Sequence, residues 1–216
     1  MLYPRVMPSF TTLPSPTAAP ASSIRLPVSP HPLPLSLESL RGRMVEFTGH
    51  EASAVLSYVV DRVAAFQAAG EAVAWVAGTP QTFFPPDSMA CGVDLAQLPV
   101  IRCDGSLPDI ALATDHLMRS EGFSLVVVDL PERRDFRLVH QSRLRALARE
   151  THTALLLLTR NIRPDSLASL RARTRRLAAP QAYPGTFRHK LSIVKDKQRN
   201  PDRRQQELRS APDGLR

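Results

Sequence analysis

Cysteine is nearly absent: Cys91 and Cys103 are the two in 216 residues. Two cysteines outside any C-x-x-C pair make no disulfide framework. No run of 18 apolar residues occurs, so no transmembrane helix is expected. The first residues lack a charged segment leading into a continuous apolar one, which argues against a secretory signal. The six histidines fall at no ligand-like spacing from cysteines or carboxylates, so no metal and no cofactor is expected. These absences point to a cytoplasmic chain without a membrane partner.

What is present is uneven. The chain carries a net charge of +8 with 43% apolar residues. Residues 160–176 hold six arginines against Asp165, and residues 188–216 hold nine Lys/Arg against four acids. Each segment therefore has a net of +5, and the remainder is slightly acidic. Such clustering is the footprint expected for a polyanion or an acidic protein partner. Residues 1–37 carry prolines at 4, 8, 14, 16, 20, 27, 30, 32 and 34, with Ser and Thr between them. Proline fixes φ and removes a donor, so a disordered or polyproline-like tail is expected, or a partner-binding peptide. Residues 38–195 are expected to form one α/β domain, and residues 196–216 a basic tail, disordered or a terminal helix.

Within the domain, hydrophobic patterning alternates between strand and helix. Val55, Val59, Val63 and Phe66 make one helical face that closes before Gly70. Strands are predicted at 72–77 and 98–102, and residues 78–87 make a loop. A helix follows from Asp109 to Ser120, with Ile110, Ala113, Thr114 and Leu117 inward. Leu125–Val128 and Ala154–Leu158 are too apolar for half-exposed strands, so both sit centrally in a parallel sheet covered on both faces. Between them, Asp135 to Glu150 reads as a surface helix with Phe136, His140, Leu144 and Leu147 inward. Strand and helix in series give a mostly parallel α/β sheet with helices on both faces.

One stretch organises this series. Arg41 to Leu56 reads as a short strand, a tight turn at Gly49, then a helix, which is the frame of the phosphate-binding loop G-x-x-x-x-G-K-[ST]. Gly49 holds the first glycine's place, but Ala54, Val55 and Leu56 stand where the second glycine, the lysine and the hydroxyl would be. Without the lysine a triphosphate loses its positive partner, and without Ser/Thr a magnesium ion loses a ligand. Val55 and Leu56 are expected to fill the vacated space. Asp129 ends an apolar strand, where open α/β sheets place ligand chemistry. It reads either as a magnesium-holding aspartate or as a capping residue before Pro131.

The segment "GRMVEFTGHEASAVL" resembles the opening of the RecA recombinase core, and the later strands follow in the same order over residues 38 to 195. Among RecA relatives, the short chain, the degenerate loop, "GVDLAQL" with "IRC", and "GFSLVVVDL" are most similar to the ImuA-type proteins. The resemblance implies a RecA-like core and a non-catalytic accessory role in damage-induced translesion synthesis, with nucleoid association. Implied partners are RecA recombinase, an ImuB-like polymerase homologue and its error-prone replicative-type polymerase assembly. RecA places a water-orienting glutamate after its second strand; here Gly78, Thr79 and Pro80 occupy that region, so ATP hydrolysis is not expected. The N-terminal helix on which RecA polymerises is also missing from the pattern. A SulA-type division inhibitor is the neighbouring alternative.

The arginine segment is read as a helix. Asp165 or Ser166 would cap it, with Leu167, Leu170, Thr174 and Leu177 on one stripe and Arg171, Arg173, Arg175 and Arg176 around the remainder. In RecA this position carries a mobile DNA-binding loop. The candidate contacts to nucleic acid or a partner are these four arginines with Arg160, Arg163, Lys195, Lys197, Arg199, Arg203 and Arg204. No aromatic is interleaved, so any binding to single-stranded DNA should be sequence-independent and salt-sensitive. A solvated basic face is the plain alternative. Phe187 to Val194 is predicted as the last strand.

Overall fold

The computed structural model describes residues 35–49, 55–78, 88–89, 91–131, 135–160, 164–178, 186–198 and 204–210. Expectations for residues 1–34, for the loop at 79–87 and for the rest of the C-terminal tail lie outside them.

Eight strands form one sheet in the order β3-β2-β4-β5-β1-β6-β7-β8. The strands are β1 (Met44–Thr48), β2 (Val73–Ala77), β3 (Val100–Arg102), β4 (Leu125–Asp129), β5 (Ala154–Thr159), β6 (Leu170–Ala178), β7 (Thr186–Asp196) and β8 (Arg204–Ser210). The first six pair in parallel, and β6-β7 and β7-β8 pair antiparallel. The mostly parallel α/β architecture expected of a RecA-like core is therefore present. Helix α1 (Leu37–Leu40) precedes β1, and helices α2 (Val55–Ala68), α3 (Leu107–Arg119) and α4 (Leu138–Glu150) lie between strands.

Every residue of β1, β2, β4 and β5 is buried. The reason is two-sided packing. Val45, Phe47, Val73, Trp75, Leu125, Val127, Leu156 and Leu158 share one core with Val59, Val63 and Phe66 of α2. The alternating residues Met44, Val76, Val126, Val128, Leu155 and Leu157 share a second core with Ile110 and Met118 of α3 and Leu144 and Leu147 of α4. Strand side chains alternate between faces, so α2 lies on one face and α3 and α4 on the other. Each such Val or Leu contributes about 1.5–3 kcal/mol by leaving water.

The helix faces differ in detail from expectation. In α2 the four predicted residues are all buried, and Gly70 takes φ 77° to end the helix, a left-handed value glycine adopts without cost. In α3 the buried stripe is Ile110, Ala111, Thr114, Asp115 and Met118, while Ala113 and Leu117 sit at its half-buried edge. His140 is likewise only half-buried, and Gln141 goes inside instead, donating to the Phe136 carbonyl at 2.8 Å.

Three expectations are overturned at the C-terminal side. Residues 170–178 are strand β6, not a helix. Residues 204–210 are strand β8, neither a disordered tail nor a helix. The sheet therefore runs past the boundary expected at residue 195, and Asp196 at the end of β7 is bonded to Arg43 at 2.6 Å. At the other end Leu35 is already buried in the core, two residues inside the expected tail.

Candidate functional site

The segment expected to be a degenerate phosphate loop is described only at its two ends, residues 50–54 lying outside the described residues. β1 ends at Thr48, Gly49 follows, and the Gly49 N–H reaches the Thr159 carbonyl of β5 at 3.4 Å. Ala54 lies outside the described residues. Val55 opens α2 and is buried in the core with Tyr58 and Val59. Leu56 does not join it: 48% of its surface is exposed. The expectation that both residues fill the loop site is therefore corrected: Val55 turns into the core, while Leu56, about 100° further round the helix, turns outward.

Asp129 ends β4, buried to 8% exposure, in register with Ala77 on one side and Leu158 on the other. Strand β5 stands between β4 and β1, so the ends of the Asp129 and Gly49 strands are about 10 Å apart at the usual strand spacing. The Gly78 N–H donates to the Asp129 carbonyl at 2.8 Å. A Cβ on Gly78 would lie 2.4 Å from that carbonyl oxygen and 2.8 Å from Pro131 Cδ. No residue with a side chain, a glutamate included, fits at Gly78 without moving the backbone of β4.

A second cluster surrounds Glu46, the one charged residue of β1. Ser166 Oγ donates to Glu46 Oε2, and the hydroxyls of Thr48 and Thr159 reach Oε1 at 3.3 and 3.4 Å. The Arg171 guanidinium lies 3.4 Å from Oε2. All five side chains are buried. Sequence reasoning missed this cluster; its one signal was the charge set inside Met44–Thr48. Arg171 is accordingly part of the core and not a surface contact.

The remaining basic candidates separate by face. Along β6, Leu170, Ala172 and Thr174 are buried, while Arg173 and Arg175 are exposed. Arg175 pairs with Lys190 and Arg173 with Ser192 on β7, so these four share a face. Arg176 is exposed on the opposite face, in register with buried His189, whose ring lies 5.8 Å from that of Tyr58 in α2. Lys195 is half-buried and donates to the Ser166 carbonyl at 3.1 Å, and Lys197 is exposed. Burial pushes the Lys195 ammonium below its usual range, and the charges of Lys197, Arg171 and Arg145 of α4 push it further, against an opposing pull from Glu46. Arg160 is exposed just past the end of β5, with β1 standing between that strand and β6. Arg204 begins β8 in register with Ser192. Arg163, Arg199 and Arg203 lie outside the described residues. Arg145 and Lys190 join the basic set although the sequence did not single them out.

Among the described residues no group of His, Cys, Asp and Glu could hold a metal ion, and no helix is long and apolar enough to cross a membrane. Compared with models of known protein families and with curated proteins, the chain matches none.

Proposed function

We propose that this chain is a RecA-like accessory protein of damage-induced translesion DNA synthesis that acts by binding and not by hydrolysis. The observation that carries the reading is a retained frame with vacated chemistry. A strand ending at Thr48 and a helix opening at Val55 stand at the phosphate-loop position, with a carboxylate at the end of β4. Yet Val55 is given to the core, Leu56 offers no metal ligand, and Gly78 is sterically closed to a catalytic side chain. A fold kept without its reaction keeps its surfaces, and RecA-like surfaces serve to join other RecA-like chains.

In this reading the partners are RecA and an ImuB-like polymerase homologue with its error-prone polymerase, in a nucleoid-associated cytoplasmic assembly. A RecA-shaped surface without an interfacial nucleotide would add to a recombinase filament end and stop growth there. The test is a pull-down of the purified full chain with RecA and with the ImuB-like protein, with and without single-stranded DNA, over a salt series. Retention of either protein in nuclease-treated, high-salt buffer is the expected result. Failure to retain either, together with capture of a tubulin-like division protein, would transfer the chain to the division-inhibitor reading.

A further inference from the structure

We propose that the groove between α3 and α4 docks an acidic amphipathic helix of a partner protein, taking one apolar side chain in its pocket and an acid at the arginine pair beside it. The inference rests on the geometry of these two helices and not on the accessory role, so the two can fail separately.

The helix sequences make the groove. Residues three and four apart share a helix face, so Pro108, Ala111, Leu112, Asp115 and Arg119 run as one stripe along α3. It lies beside Ile110, Thr114 and Met118, which hold the helix to the sheet. On α4, Arg143 and Leu144 turn toward this stripe, and Val139 stands one turn before Arg143 on the same side. Between the helices lies a cavity of about 140 Å³, walled by Pro108, Ala111, Leu112 and Leu144 and rimmed by Asp115 and Arg143. Leu112 is 54% exposed and Val139 68% exposed. Single apolar side chains scattered over a surface mean little, but these two stand at the lip of a pocket whose walls are apolar.

The polar end of the groove is preorganised. Buried Asp115 accepts from Arg119 Nε at 2.9 Å and from Arg143 Nε and Nη2 at 2.8 and 3.0 Å. One carboxylate thus fixes two exposed guanidiniums and leaves the trio with a net positive charge. Asp115 takes only some of the donors that two arginine forks carry, so donors remain for an incoming carboxylate. Asp109, the other acid of α3, stands at the opposite end of the helix from Arg119.

Size and charge select the occupant. Small-molecule sites enclose about 300–1,000 Å³, whereas this cavity has room for about one large side chain. A nucleic-acid strand would leave Leu112 and Val139 in water and would meet the carboxylate of Asp115. The groove lies between helices, away from any strand edge that a peptide could extend. From Pro108 to Arg119 it runs about 16 Å, or about three helical turns, which suits a helix laid in a groove. Leu112 and Arg119 are about 10 Å apart along α3. The partner helix therefore carries its acid one to two turns from its apolar anchor, and the positive end rejects a basic one.

The experiment selects binders to the immobilised full chain from a displayed library of helical peptides, with the double variant Leu112→Ser, Val139→Ser as counter-target. Peptides that prefer wild type are expected to share a large apolar residue with Asp or Glu about four to seven positions away. In fluorescence anisotropy the labelled consensus peptide should bind the double variant at least about ten-fold more weakly, the factor expected when an apolar side chain loses its burial. Arg119→Gln leaves Arg143 on Asp115 and should weaken binding by about three-fold or more, while narrowing the preference over a lysine-for-acid peptide. A readout without any variant is hydrogen exchange of wild type, which the peptide should slow in α3 and α4 and not in α2. A selection that yields no peptide preferring wild type, or peptides that slow exchange elsewhere, overturns the proposal. A consensus without an acid, or an Arg119→Gln variant that binds as wild type does, overturns the role of the arginine pair. Sedimentation of wild type as a dimer that the double variant abolishes overturns it in favour of a second copy of the chain.

Discussion

The sheet has two halves built on different physics. From β2 through β1 the strands are parallel, every residue is buried, and helices lie on both faces. From β6 to β8 the last pairings are antiparallel, and β6 and β7 bury one face and leave the other charged. The first half can tolerate no charge that is not fully partnered, as Glu46 with its four partners illustrates. The second half has room for Arg173, Arg175 and Lys190 because water solvates them. The parallel half therefore holds the frame, and the antiparallel half can keep charge at its surface.

The most destructive test of this contrast strikes the joint between the halves. Arg43 at the start of β1 and Asp196 at the end of β7 form a buried ion pair at 2.6 Å, with Ser169 accepting from Arg43 Nε at 3.1 Å. Asp196→Ala strands the guanidinium in the interior and should cost about 3–5 kcal/mol. Hydrogen exchange should accelerate in β6 and β7 more than in β4 and β5; uniform acceleration would mean the halves are not separable. Next comes Leu156→Ala in β5, fully buried at the centre. It should cost about 2–5 kcal/mol by urea unfolding, with exchange accelerating throughout the sheet.

Legibility followed the same division. The central strands announced themselves as apolar runs such as Leu125–Val128 and Ala154–Leu158, and the four residues read as the inner face of α2 are buried, joined by Tyr58 and Val60. Only continuous burial on both faces produces such runs, so the pattern had one solution. Residues 167–177 had two. Leu167, Leu170, Thr174 and Leu177 fit a helix, but Leu-Arg-Ala-Arg-Thr-Arg from 170 to 175 alternates strictly, and the alternation is what the fold uses. For β8 the signal was weaker still, because an edge strand carries little apolar content. Around the expected loop, the burial of Val55 was legible in the sequence. The steric closure of Gly78 was not, because it arises from the approach of β4 and Pro131.

A smaller effect sharpens the helical layer behind the parallel half. Asp115 of α3 accepts from Arg119 Nε at 2.9 Å and from Arg143 Nε of α4 at 2.8 Å. Burial alone would raise its carboxyl, but the hydrogen bonds and charges of Arg143 and Arg119 outweigh burial and hold it below the usual carboxylate range. A folded-state value lowered in this way contributes stability above the unfolded value near 3.8 and loses it as pH falls through the folded value. Asp115→Asn should cost about 1 kcal/mol at pH 7, since both arginines remain solvated. Thermal melts between pH 6 and pH 2.5 should show wild type converging on the variant at the acid end; a constant gap would contradict the linkage. Smallest of all, Arg173→Ser with Arg175→Ser should change stability by less than about 0.5 kcal/mol, because these side chains end in water. A large loss there would make these side chains structural and remove the contrast.

If the frame of a nucleotide site persists here without its chemistry, as proposed, titration of the full chain with Mg-ATP by calorimetry and thermal shift should reveal it. The expected result is no heat of binding and an unchanged melting temperature at millimolar nucleotide, since Val55 and Leu56 leave the phosphates and magnesium without ligands. Saturable binding accompanied by a rise in melting temperature, which mass action requires of any ligand that binds the folded state, would contradict it and return the chain to the nucleotide-dependent enzymes.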